Sequence, residues 1–250
     1  MKRSKHIKLA LIAVVAVGGM TATAASAAAP EFVHCVAKAG GTFAAGCEKA
    51  GSGFTKEAVP TGSSVKFTDK EGLSKLNAKA ETSLSCPADT SKGEITGPKS
   101  IAGVVVRFTG CTAKEGMQPG CKSNSTHQGP GIIETNVLKG TLGGASETKT
   151  GAQVPGESFV PVGSEFATIE APCLATKVFE VTGGVIGEVK PIKTMQRTGE
   201  LIFACKPAGS TVQKLAFLDA GPETVPRVFA AAACFESNDE ITFAENIEIT

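Results

Sequence analysis

The chain has 250 residues, with thirteen Phe, eight Cys and neither Trp nor Tyr. Without Trp or Tyr it lacks the usual platforms for stacking sugars, and 25 Lys+Arg against 24 Asp+Glu supply no basic field for nucleic acid. A hydrophobic share of 42% excludes a wholly disordered chain, and 29 Gly with 13 Pro suit a loop-rich globular protein.

The first segment reads as a leader. Residues 1–8, MKRSKHIK, are basic; Leu9 to Met20 is apolar; TATAASAAAP follows with small residues. That order is the pattern of a secretory signal peptide, and the apolar run is too short for a membrane span of ~20 residues. Ala25-Ser26-Ala27 is the best cleavage site, which makes residues 1–27 the signal peptide and 28–250 the secreted domain. Cys35 follows Phe32-Val33-His34, which is not a lipidation context. Without the four bases of the leader, 21 basic residues face 24 acidic ones, a net charge of about −3. A mildly acidic chain is not built for phosphate backbones or anionic membranes. No later segment is long and apolar enough to be read as a membrane span.

The strand signals follow in order. Ser64 to Thr68 alternates, and Ile101 to Thr109 is β-branched and apolar. Ile132 to Leu138, Phe166 to Glu170, Lys177 to Thr182 and Val185 to Val189 come next. Glu200 to Ala204, Val212 to Leu218, Val228 to Cys234 and Ile241 to Ile249 complete the set. Short runs separated by Gly, Pro, Ser, Thr and Asn predict an all-β, antiparallel sandwich or barrel. Asp69 to Ala80 fits either a short helix or half of a hairpin ending at Cys86, and Val228 to Ala233 is Ala-rich enough to be ambiguous. The segment Gly143 to Gly156 is loop-like. A single domain is predicted, and two related halves meeting near 143–156 are the other organisation considered.

All eight cysteines lie after the leader: Cys35, Cys47, Cys86, Cys111, Cys121, Cys173, Cys205 and Cys234. An even count in an exported chain predicts disulfides, and no C-x₂₋₄-C pair supports zinc. Turn-rich loops predict Cys35–Cys47 and Cys111–Cys121. For the rest the expectation is Cys86–Cys173 and Cys205–Cys234.

Four segments carry a resemblance: Thr96 to Lys99 (TGPK), Phe108 to Cys111 (FTGC), Leu138 to Gly143 (LKGTLG) and Gly184 to Pro191 (GVIGEVKP). Their order resembles a large group of secreted, cysteine-paired, β-rich proteins of high-GC soil Actinobacteria, over most of residues 60–200. The resemblance implies secretion and a β fold, favours the hairpin for residues 73–86, and implies no catalytic site.

Chemical signatures are sparse. After the leader the histidines are His34, beside Cys35, and His127, in the polar loop CKSNSTHQGPG; the aspartates are Asp69, Asp89, Asp219 and Asp239. No G-x-S-x-G elbow, H-E-x-x-H, EF-hand loop or P-loop occurs. Glu165, Glu170, Glu180 and Glu188 fall on strand-like segments and are the candidates for paired-carboxylate hydrolysis, against the reading of a solvated outer face. Glu236 to Glu240 is an acidic turn without the alternating ligands of a calcium loop, and Asn124-Ser125-Thr126 fits the glycosylation pattern. An outer-membrane barrel is disfavoured by short strands and missing aromatic girdles. The sequence therefore predicts a secreted, non-catalytic extracellular or cell-surface module with no cofactor and no metal. Its expected partner is an unidentified extracellular or cell-envelope one. The alternatives are a paired-carboxylate hydrolase and a protease-inhibitor-like module presenting the Cys111 to Cys121 loop.

Overall fold

The structure is a computed structural model that describes residues 29–77, 82–117, 119–147, 153–174, 178–204, 214–219 and 227–250. The leader reading, Cys205 and the ends of several predicted strands lie outside these residues. The described residues contain strands and no helix. In chain order the strands are β1 Phe32–Ala37, β2 Phe54–Ala58, β3 Val65–Glu71, β4 Ser74–Asn77, β5 Thr82–Cys86, β6 Ala88–Ile95, β7 Ser100–Thr109, β8 Thr112–Glu115 and β9 Cys121–Lys122. They continue as β10 Ile132–Glu134, β11 Leu138–Glu147, β12 Gln153–Pro161, β13 Glu165–Glu170, β14 Val178–Lys190, β15 Gln196–Phe203, β16 Lys214–Asp219 and β17 Arg227–Ile249.

Eight of these strands close on themselves. β3 pairs with β6, β6 with β7, β7 with β11, β11 with β12, β12 with β14, β14 with β15, β15 with β17, and β17 returns to β3, every pair antiparallel. The predicted sandwich or barrel is therefore a barrel, run up and down in chain order. Closure removes the sheet edges that would otherwise invite pairing with other chains. Gly103, with φ +64°, marks a bulge where one residue of β6 faces two of β7.

The eight strands run alternately up and down, and all four upper connections carry strands of their own. β4 and β5 join β3 to β6; β8, β9 and β10 join β7 to β11; β13 joins β12 to β14; β16 joins β15 to β17. β10 pairs with β7; the other pieces pair with one another and with the first halves of the long strands β14 and β17, in the order β9, β8, β5, β4, β17, β16, β14, β13. A bridge between Asn124 and Glu170 brings the chain just past β9 to β13. The result is a second tier stacked on the barrel. At the other end β1 and β2 form a hairpin, and β1 pairs with the end of β17. Fully buried Phe32 donates its N–H to the Pro98 carbonyl 2.7 Å away, which ties this hairpin to the turn between β6 and β7.

Three disulfides lie among the described residues: Cys35–Cys47, Cys86–Cys111 and Cys121–Cys173. The first agrees with the sequence reading. The expected Cys111–Cys121 and Cys86–Cys173 bridges are corrected. β8 and β9 already pair next to Cys111 and Cys121, so local proximity made the wrong bridge attractive. The actual bonds tie β5 to the end of β7, and β9 to the segment after β13. Cys234 is disulfide-bonded, while its expected partner Cys205 lies outside the described residues.

Other expectations also change. Asp69 to Asn77 is no helix: it supplies the end of β3 and β4 of the hairpin with β5, and 78–80 lie outside the described residues. Of the loop-like segment Gly143 to Gly156, residues 143–147 and 153–156 belong to the β11–β12 ladder, with Gly143 paired to Gly156, and 148–152 lie outside the described residues. Ile132 to Leu138 is two strands, broken where Asn136 and Val137 hydrogen-bond to Phe166 and Val162. Conversely, Val228 to Cys234 and Ile241 to Ile249 are parts of the single strand β17.

Side-chain alternation fixes what the barrel faces. Val65, Phe67, Val104, Phe108, Leu138, Leu142, Phe159, Val185, Leu201, Phe203, Ile241 and Phe243 point inward and are buried. Lys66, Lys70, Lys92, Lys139, Glu200 and Glu240 alternate with them outward and are exposed. This polar outer belt is the reverse of the apolar band that lipid-facing barrels present. No described helix is long and apolar enough to cross a membrane.

Candidate functional site

Eight strands give a barrel whose interior is filled by side chains or holds one small ligand. Here most of it is filled. Phe159, Phe203, Phe235 and Phe108 form a chain of ring contacts, with centroids 6.4, 5.2 and 6.0 Å apart in turn. Phe67 packs on Phe243 with centroids 6.4 Å apart. Gly187 makes room for this packing: a Cβ there would lie 2.6 Å from Leu201 Cδ1 and 3.0 Å from Phe203 Cε1. A cavity of about 70 Å³ remains among these rings and the aliphatic side chains.

Four carboxylates line the same cavity: Asp69 on β3, Asp89 on β6, Glu157 on β12 and Asp239 on β17. Each sits at an inward position because strand alternation puts it there. Asp69 follows Phe67, Glu157 precedes Phe159, and Asp239 precedes Ile241. Asp89 and Asp239 are buried beside hydroxyls. Ser74 Oγ donates to Asp89 Oδ2, and Ser237 Oγ donates to Asp239 Oδ1 at 2.5 Å. Such hydrogen bonds offset part of the cost of taking a charge out of water.

Glu157 has no such support among the described residues. It is 2% exposed, its neighbours along the strand are Gly156 and Ser158, and its cross-strand partners are Leu142 and Gly187. Burial first, and the Asp69 carboxylate second, push its pKa up to about 8. Glu157 is consequently a neutral carboxylic acid near pH 7, held in an apolar chamber.

The residues singled out in the sequence fall elsewhere. His127 is exposed, with φ +69°, in the turn between β9 and β10, and does not line the cavity. His34 on β1 contacts Glu245 on β17 through Nδ1 at 3.0 Å, outside the barrel. Glu165, Glu170, Glu180 and Glu188 are half-buried and none lines the cavity. Asn124 is engaged by Glu170, its Nδ2 donating to Oε2 at 3.1 Å. The expected acidic turn Glu236 to Glu240 is part of strand β17 and is divided by alternation: Asp239 enters the barrel while Asn238 and Glu240 face solvent. No group of three or more His, Cys, Asp or Glu suited to a metal ion occurs among the described residues. The Cys111 to Cys121 loop is no bridged projection, since both cysteines bond elsewhere.

Sequence reasoning named Asp69, Asp89 and Asp239 in the aspartate inventory, weighed Asp239 again within the acidic segment Glu236 to Glu240, brought none of them together, and passed over Glu157. The one signal that pointed to Glu157 was an acid between Gly156 and Ser158 in a stretch that resumes apolar alternation at Phe159 and Pro161.

No known protein family, curated protein or solved structure matches the chain.

Proposed function

We propose that the protein is a secreted, non-catalytic binding module whose ligand site is the lumen of the barrel. The observation that carries the reading is an apolar cavity inside a closed barrel with one buried acid, Glu157, to which no described residue gives a hydrogen bond. A chain stabilised only by burial has no use for such a group, because burying an unsupported acid costs stability. Binding cavities, by contrast, are mostly apolar with a few placed polar groups. Secretion is supported by the order of basic, apolar and small residues in 1–27 and by the disulfides. The motif order TGPK, FTGC, LKGTLG and GVIGEVKP supports kinship with the secreted actinobacterial group.

Titration with n-butanol, followed by amide shifts, tests the lumen. Saturable shifts at Val104, Leu201 and Phe203 are expected. Shifts confined to outward positions such as Lys66 and Lys139 would defeat the reading.

One observation favours a second reading. Asp69 and Glu157 are paired carboxylates of which one has a raised pKa, the arrangement a glycosidase uses for its acid. The size of the chamber weighs against it, since about 70 Å³ cannot admit a glycosidic bond with a sugar on each side. Turnover of aryl glycosides that disappears in Glu157→Gln would establish it; no turnover removes it.

A further inference from the structure

We propose that the lumen selects a small organic cation, a primary ammonium on a short aliphatic body, with the ammonium held by Glu157. This rests on the lumen being the binding site and adds the chemical class of the ligand. The carboxylates are distributed around the barrel: in ring order β12 lies four strands from β3, so Glu157 and Asp69 come from opposite walls, while Asp89 and Asp239 come from the strands on either side of β3. Among the described residues no Arg or His lines the cavity, and the one Lys that does, Lys75 of β4, is exposed. An anion inside would face Asp69, Asp89 and Asp239, with Lys75 as the one cation on the lining. A neutral apolar ligand would bring Glu157 no donor; Ser74 and Ser237 donate to Asp89 and Asp239, and the other hydroxyls on the cavity wall are Ser91 and Thr135. A primary ammonium brings three donors and one positive charge into a chamber that has acceptors and rings, and both attract it.

Lys75 also marks an access route. It lines the inner cavity and a shallow outer hollow formed by Gly72, Leu73, Glu236, Ser237 and Asn238, where β4 meets β17.

The proton balance follows. Bound beside the ammonium, Glu157 becomes a carboxylate, and its proton goes to the buffer. Near pH 7 the neutral acid and the cation thus give an ion pair plus a released proton. The other charged groups facing this event are Asp69, Asp89 and Asp239, with Lys75 at the rim.

The test compares n-butylammonium, n-butanol and n-butyrate on the whole chain by calorimetry in two buffers of different ionisation enthalpy. Butylammonium is expected to bind at least ~30-fold more tightly than butanol, the lower end of what a buried charge contact contributes, and to release a proton. Butyrate is expected not to bind. In Glu157→Gln, butylammonium should fall to the affinity of butanol and proton release should vanish, while butanol binding persists, which also shows that the variant is folded. Asp69→Asn provides a second variant and is expected to weaken butylammonium by a smaller factor. Butanol binding as tightly as butylammonium would overturn the cation proposal and leave the lumen site standing. Failure of all three would overturn both.

Discussion

Glu157 and Asp69 bring acid groups to one lumen from opposite walls of an eight-stranded ring, and the charge of the second raises the pKa of the first. The barrel thus buries an acid to which no described residue gives a hydrogen bond. Stability should show this arrangement directly.

Between about pH 4.5 and pH 8 the folded state binds a proton at Glu157 that the unfolded chain has released. The stabilisation relative to the ionised form is complete below about 4.5 and disappears as pH rises through about 8. The difference between the two values corresponds to on the order of 5 kcal/mol at most. Thermal melts should therefore show Tm falling from about pH 5 to about pH 9, with Glu157→Gln flattening the fall and melting higher than the parent at the alkaline end. An unchanged slope in the variant would show that other groups set the pH dependence.

Gly187→Ala should destabilise without unfolding. The new Cβ would lie 2.6 Å from Leu201 Cδ1, a movable methyl, so Leu201 shifts within a filled core. Overpacking of this kind costs roughly 1–3 kcal/mol. Denaturant melts should show the midpoint falling with an unchanged slope.

Phe203 touches both Phe159 and Phe235, so Phe203→Ala removes the middle of the ring chain. A loss of about 3–5 kcal/mol is expected from urea unfolding. The enlarged cavity should then admit benzene, with saturable shifts at Leu201 that the parent does not show.

Loss of the Cys86–Cys111 bridge, in the double variant Cys86→Ala/Cys111→Ala, removes a closed loop with a sequence separation of 25. Loop-closure entropy puts the cost at roughly 3–4 kcal/mol. A non-reducing peptide map of the parent should join the peptides of Cys86 and Cys111, and those of Cys121 and Cys173. A Cys111–Cys121 peptide would contradict the strand arrangement of the upper tier.

The sequence revealed the apolar strands and concealed two of the four that bring acids to the lumen, β6 and β12. β7 and β17 announce themselves through Ile101 to Thr109 and Ile241 to Ile249, where inward positions are aliphatic or aromatic. β6 and β12 passed unnoticed because their inward positions are Asp89, Ser91 and Gly93, and Pro155 and Glu157. Strand recognition rests on apolar alternation, and polar inward positions erase it. The signal failed where the lumen is polar, the kind of local inconsistency that accompanies functional sites. Disulfide pairing was hidden for a different reason. Cys86 and Cys173 are brought to their partners by a tier whose strands come from four separate connections, which no local spacing encodes.

The return of β17 to β3 sets the order in which this molecule can assemble. Phe243 must meet Phe67 across nearly the whole length of the barrel sequence. Until β17 is made, β3 presents an unpaired flank and the acids of the lumen stand in water. Contacts so distant in sequence slow folding and prolong the exposure of open strands. Truncating β17 should therefore leave a sticky, open sheet in place of a smaller barrel, and a binding partner that covers β3 early would act as a folding aid.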